Sequence, residues 1–201
     1  MFYYIEGIVS TIAQNLAVID AGGVGYACIT TLSTLSRLET GKKARLYTYC
    51  YIKEDAFDIY GFFDQGEKRC FEQLISVSGV GPKAAVSILS TCTPESLAIA
   101  IISDDETALT IAPGIGKKLA QRIILELKDK ISKETAALKS GGYVPPRGDQ
   151  GQPASKIRDA AAALAVLGFS QGEISASLRN IDAAQLTTEE IIREVLKNSV
   201  K

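Results

Sequence analysis

The chain has 201 residues, 46% of them hydrophobic and 22% charged, which is enough apolar mass for one or two ordinary domains or three small ones. No apolar run reaches the roughly 18 residues of a membrane span, and Met1-Phe2-Tyr3-Tyr4-Ile5-Glu6 lacks the basic stretch and long apolar core of a signal peptide. A net charge of −1 does not mark a wholesale nucleic-acid binder, and the absence of histidine removes His-activated nucleophiles and most zinc sites.

Residues 1–63 read as β. Phe2–Ile12, Leu16–Ile19, Val24–Thr30, Arg45–Ile52 and Phe57–Phe62 are rich in β-branched and aromatic residues. Gly22-Gly23 supplies a hairpin turn, Lys53-Glu54-Asp55-Ala56 another, and Leu32–Leu38 a helical turn or two between the third and fourth strands. Five short strands with a helix after the third predict a small closed barrel of the OB type, with an SH3-like barrel as the structural rival. The barrel sequence shows no obvious row of exposed aromatics for stacking bases.

Residues 64–134 switch to helical periodicity. Asp64-x-x-Glu67 opens a helix with Phe71, Leu74 and Ile75 on one face, and a second helix starts at Pro82, where the missing N–H costs nothing. Thr93-Pro94 starts a third, Ser103-x-x-Glu106 reads as the capping box of a fourth, and a last helix runs from about Gly116 to Ser132. Its apolar stripe is Leu119, Ile123, Ile124 and Leu127, with Lys118 and Arg122 one turn apart on another face.

Two turns in this segment share one register, 35 positions apart: Gly79-Val80-Gly81-Pro82-Lys83 and Gly114-Ile115-Gly116-Lys117-Lys118. Glycine at both ends of a three-residue turn permits positive φ and leaves no Cβ in the way of an approaching group. Each turn delivers a helix N-terminus, with its free N–H groups, beside lysine, and that is an anion site. A single Gly-x-Gly between helices is often only a turn; two in register read as a tandem helix-hairpin-helix that grips two phosphate backbones. Between 114 and 133 the cations Lys117, Lys118, Arg122, Lys128, Lys130 and Lys133 face only Glu126 and Asp129, so the binding face is expected to be basic.

From Thr135 to Ser155 the pattern gives way to Lys139-Ser140-Gly141-Gly142-Tyr143-Val144-Pro145-Pro146 and further Gly, Asp, Gln and Pro, the composition of a tether (135–155). Residues 156–201 return to helix: Lys156–Leu167, Ser170-x-x-Glu173 into Leu178, and Thr187-x-x-Glu190 into Leu196. These form a small three-helix bundle whose Gly168-Phe169 after Leu167 resembles the helix-end loop of ubiquitin-associated bundles, and reads either as a core leucine with a glycine cap or as an apolar docking face. It must bury Leu164, Leu167 and Ile174, and Phe169, with Leu167 shared, is expected on an exposed docking face. Little is expected to pack across the tether.

Enzymatic chemistry is hard to place. Gly41-Lys42 and Gly116-Lys117 are followed by lysine rather than Ser or Thr, and no glycine stands five positions before either, so neither is a P-loop. The Gly-x-Gly turns follow helices, which excludes a dinucleotide fingerprint. Cys28, Cys50, Cys70 and Cys92 are widely spaced in apolar surroundings and read as buried free thiols in a reducing cytoplasm. No metal site and no catalytic residue is expected; the chain reads as a binding module.

The barrel, tandem hairpins, linker and small bundle together resemble the RuvA family, the Holliday-junction recognition subunits of the bacterial RuvAB branch-migration machine. The resemblance covers the whole chain. It is most specific at Tyr4-Ile5-Glu6-Gly7, at Glu54-Asp55-Ala56 with Tyr60-Gly61-Phe62, at Ser78 to Lys83, at Pro113 to Lys118 and at Leu167-Gly168-Phe169. It implies a fourfold tetramer, or an octamer on DNA, whose hairpins grip minor-groove phosphates of four arms. Gly79, Val80, Gly81, Lys83, Gly114, Ile115, Gly116, Lys117, Lys118 and Arg122 would make those contacts, and Glu54 and Asp55 would form an acidic pin at the junction centre. The family often has arginine where this chain has Lys53, which lacks the bidentate fork. A RuvB-type ATPase would dock on the C-terminal bundle through Leu164, Leu167 and Phe169, with a RuvC-type junction nuclease as a further partner. This chain would need no cofactor, ATP and magnesium belonging to the motor. Two readings from other classes stay open at this point: a duplex or fork binder attached to a repair enzyme, and an RNA-binding OB protein.

Overall fold

A computed structural model describes residues 1–138, 153–169, 171–179, 181 and 186–198. Strands β1 (Tyr4–Ala13), β2 (Leu16–Ala21), β3 (Val24–Ile29), β4 (Lys43–Ile52) and β5 (Phe57–Phe62) close into a barrel in the order β1-β2-β3-β5-β4. Every neighbouring pair is antiparallel except β3 and β5, which run parallel. That pairing, with the single-turn helix α1 (Leu32–Leu35) between β3 and β4, gives the OB type rather than the SH3-like alternative. A bulge between Val9 and Thr11 bends the long β1 around the barrel. Its start is pressed so closely on β2 that a Cβ on Gly7 would lie 2.0 Å from the Asp20 carbonyl oxygen. Ile5, Val9, Ile19, Leu46 and Ile59 fill the interior.

Strand β5 belongs to two cores. Ile59 faces into the barrel, whereas Tyr60 and Phe62 face the helices and meet Phe71 at ring-centroid distances of 5.2 and 4.8 Å. Phe71 lies on α2 (Gln65–Ile75), whose N-cap Asp64 accepts the Glu67 N–H at 2.8 Å. The Glu67 side chain does not turn back to complete a capping box. Only 3% exposed, it accepts the hydroxyls of Thr31 and Thr34 and, at 3.4 Å, the Phe63 N–H. Burial holds this carboxyl above its ordinary value, against the pull of the two threonine bonds. Leu32 N–H also donates to Ser90 Oγ at 3.1 Å, so barrel and helices are joined at two places on α1.

The helical region continues with α3 (Pro82–Thr91), α4 (Pro94–Ser103), α5 (Glu106–Thr110) and α6 (Lys117–Leu138). Thr93 caps α4 as expected, accepting the Ser96 N–H. The expected Ser103 capping box does not form. Ser103 ends α4 and donates to the Ile99 carbonyl at 2.8 Å, while Asp105 caps α5 by accepting the N–H groups of Thr107 and Ala108. The shorter carboxylate reaches those donors once Asp104 has taken a left-handed C-cap conformation, with φ +58°. Helix α6 runs on to Leu138, six residues past its expected end, and another helix begins at Pro153, so the expected tether is helical at both ends; its middle, 139–152, lies outside the described residues, as does Ser170.

Helices α7 (Pro153–Val166), α8 (Gln171–Leu178) and α9 (Thr188–Asn198) form the C-terminal bundle. Thr187 and Glu190 make a complete capping box at α9. The bundle is not held apart: α7 packs on α4 and α6, and α9 on α4, extending one apolar cluster from β5 to Val195. Phe169 therefore is not the exposed docking residue the sequence predicts. It is 5% exposed, with Leu164 and Leu167 fully covered. Gly168, at φ +80°, turns the chain back so that Phe169 lies under the Arg69 guanidinium, 4.6 Å from the ring centroid, and Arg69 in turn meets Glu173 at 3.2 Å. The four cysteines are free and buried, and burial pushes the Cys28 thiol up to about 12.

Candidate nucleic-acid interface

The two Gly-x-Gly turns have the same internal geometry. Gly79 and Gly114 take φ +87° and +85°. The N–H groups of Val80 and Ile115 donate back to Val77 and Ala112, both at 3.1 Å. Val80 and Ile115 are buried, so these two predicted contact residues anchor the turns from below and offer neither side chain nor N–H outward. Gly81 and Gly116 accept from Ala85 and Ala120, each at 3.0 Å, and so open α3 and α6 in the same way.

What faces outward is backbone. The N–H groups of Gly79, Gly81, Gly114 and Gly116 donate to no acceptor among the described residues, whereas the first-turn N–H of Leu119 is already taken by the Gly116 carbonyl at 3.0 Å. A Cβ on Gly81, Gly114 or Gly116 would meet nothing within 4 Å, so an anion can approach the chain itself. Lys83, Lys117, Lys118 and Arg122 are exposed around these turns. Lys83 and Lys118 have no ion-pair partner among the described residues. Lys117 Nζ lies 3.8 Å from Glu106, and Arg122 Nε 3.1 Å from Glu126.

The two turns are also tied to each other. The Ser78 N–H donates to Glu126 Oε2 at 3.1 Å, and Ser87 Oγ donates to the Pro113 carbonyl at 2.8 Å. Leu119 of the second motif packs under Gly79 of the first, 3.7 Å from where a Cβ would sit. Sequence reasoning missed Glu126 and Ser87. The Arg122/Glu126 spacing of four was a visible signal for one pair, but Ser78 is 48 positions from Glu126 and no local pattern links them.

Glu54 and Asp55 stand exposed at the tip of the β4–β5 hairpin, closed by the Lys53 N–H donating to the Ala56 carbonyl at 2.8 Å. Lys53 lies over the Tyr51 ring, 5.1 Å from its centroid. Contrary to the sequence reading, the barrel does expose aromatics: Phe2, Tyr3, Tyr4 and Phe57. They are engaged with one another and with neighbours, Tyr3 edge-on to Tyr4 and Tyr47, Phe2 against Tyr26 and Phe57, and Arg45 4.3 Å over Tyr4. Among the described residues no three His, Cys, Asp or Glu side chains are grouped to hold a metal, and no single helix is long and apolar enough to cross a membrane.

Comparison with known proteins divides the chain along the same lines. Residues 1–61 match the RuvA N terminal domain, residues 71–129 the SAM-like Helix-hairpin-helix tandem, and residues 155–200 the RuvA C-terminal domain. The chain is 45% identical over 202 residues to the Holliday junction branch migration complex subunit RuvA of Acetivibrio thermocellus, covering 98% of each chain. It is 42% identical to the protein of that name from Caldanaerobacter subterraneus subsp. tengcongensis, over the full length of both.

Proposed function

Because this chain belongs to the RuvA family, we propose that it binds four-way DNA junctions by their shape and serves, without catalysis of its own, in a branch-migration complex. The observation that carries this reading is the pair of like-built turns fixed on one core, each presenting unpaired backbone N–H groups beside lysine. Such a surface recognises phosphate and not base sequence. A cyclic tetramer would match four arms with one subunit each. The acidic hairpin tip would then stand at the crossover and hold it open and square, since carboxylates repel any phosphate brought over them. The C-terminal helices are the proposed dock for a RuvB-type ATPase; Leu164, Leu167 and Phe169 are core side chains here and are not part of that proposal.

The test is a binding titration with a four-way junction, a duplex and a single strand of matched length. Tighter binding to the junction supports the reading. Equal affinity for duplex and junction would return the chain to the class of general duplex binders, and a preference for the single strand to that of OB proteins reading unpaired bases.

A further inference from the structure

We propose that Glu126 is a positioning residue, holding the first hairpin in register with the second so that both present their N–H groups to one DNA arm. The inference rests on the phosphate-grip reading above and concerns what keeps the two grips at a fixed spacing.

One carboxylate spans the two motifs. Glu126 lies on α6, the helix that the second turn opens, and its Oε2 accepts the Ser78 N–H, from the residue just before Gly79 of the first turn. Its Oε1 faces Arg122 Nε at 3.1 Å. That pairing places Arg122 Nη1 3.9 Å from where a Cβ on Gly79 would sit, beside the first turn rather than the second. Ser87 makes the reciprocal tie, from α3 of the first motif to the Pro113 carbonyl of the second. A charge-assisted bond from a backbone N–H is among the stronger single ties available to a loop, and a turn built on glycines gains most from one. Ser78 N–H is not one of the outward-facing donors, so Glu126 holds the turn without occupying its anion seat.

The sign of the effect separates this role from plain electrostatics. A carboxylate on a surface that binds a polyanion opposes binding, so its removal alone raises affinity. Loss of register lowers it.

The experiment uses the full chain and a labelled four-way junction, titrated at several potassium chloride concentrations, with Glu126→Ala, Glu126→Gln and Lys118→Ala beside the wild type. Glu126→Ala is expected to weaken binding about tenfold and to flatten the logarithmic salt slope by roughly 0.9, the loss of one phosphate contact. Glu126→Gln keeps an acceptor for Ser78 N–H without the charge, and is expected to bind at least as tightly as the wild type. Glu126→Ala binding as tightly as the wild type or tighter overturns the proposal, as does Glu126→Gln failing to restore what alanine loses. Lys118→Ala keeps the two readings apart: if it too leaves affinity and slope unchanged, the phosphate grip itself is wrong, whereas loss in Lys118→Ala alone removes only the role of Glu126.

Discussion

Lys117 and Lys118 are neighbours in one helical turn, yet they enter binding from different states. Lys118 has no carboxylate partner among the described residues, while Lys117 sits 3.8 Å from Glu106. An exposed pair of that kind is worth about 0–1 kcal/mol, so exchanging Glu106 for a phosphate returns less than a fresh contact by up to a factor of roughly 5. Lys118→Ala should therefore weaken junction binding more than Lys117→Ala, with both flattening the salt slope; equal losses at low salt would show that the Glu106 pair does not persist in solution. Glu67 offers a different test. Burial raises its carboxyl in the folded chain, so folding favours its protonated form. The stability it contributes is complete below the ordinary carboxyl value of 4.5 and is lost as pH climbs through the raised value. Glu67→Gln fixes the neutral form. Its stability relative to the wild type should therefore climb as the pH passes above 4.5, at no more than ~1.4 kcal/mol for each step of one in pH. Urea unfolding at a series of pH values on either side of that point checks it, and a constant difference would mean that Glu67 titrates as it does in the unfolded chain.

At the scale of the element, the β4–β5 hairpin is the part whose role depends most on placement. Its strands are paired to the last residue, Ile52 with Phe57, so Glu54 and Asp55 project from a short, closed tip. Replacing them with Gln and Asn should raise affinity for plain duplex and cut the junction-to-duplex ratio by on the order of tenfold, about 1.4 kcal/mol. An unchanged ratio in a paired titration would leave the tip as ordinary solvated surface. The barrel, the helical region and both hairpins were legible in sequence because their signals are local: runs of β-branched and aromatic residues, proline at helix starts, glycine at either end of a turn. Errors fell where the deciding partner is distant or where candidates crowd together. Ser103, Asp104 and Asp105 are all able caps, and only the path of α4 selects among them. Phe169 is buried by Arg69, a hundred positions earlier. The aromatic edge ahead of β1 depends on where Phe2 and Tyr3 sit against Tyr26 and Tyr47, which composition alone does not reveal.

At the scale of the whole molecule, the bundle's contact with α4 and α6 changes what a truncation would report. A chain cut after residue 143 keeps both hairpins, the acidic tip and the barrel, and should retain junction binding while losing its coupling to a RuvB-type ATPase. It also uncovers the side of α4 against which α7 and α9 pack, so its melting temperature should fall by several degrees, about 1 kcal/mol or more. Full ATPase-driven branch migration by the truncated form would sink the docking role of the bundle. Strand β5 carries a consequence of another kind, for the order in which the chain is made. A nascent chain released as far as Phe62 has every strand of the barrel, but it holds Tyr60 and Phe62 bare to water, because their partner Phe71 is still inside the ribosome. The barrel is thus synthesised before the helix that covers its outer wall, and the earliest stopping point that covers that wall is the end of α2, at Ile75.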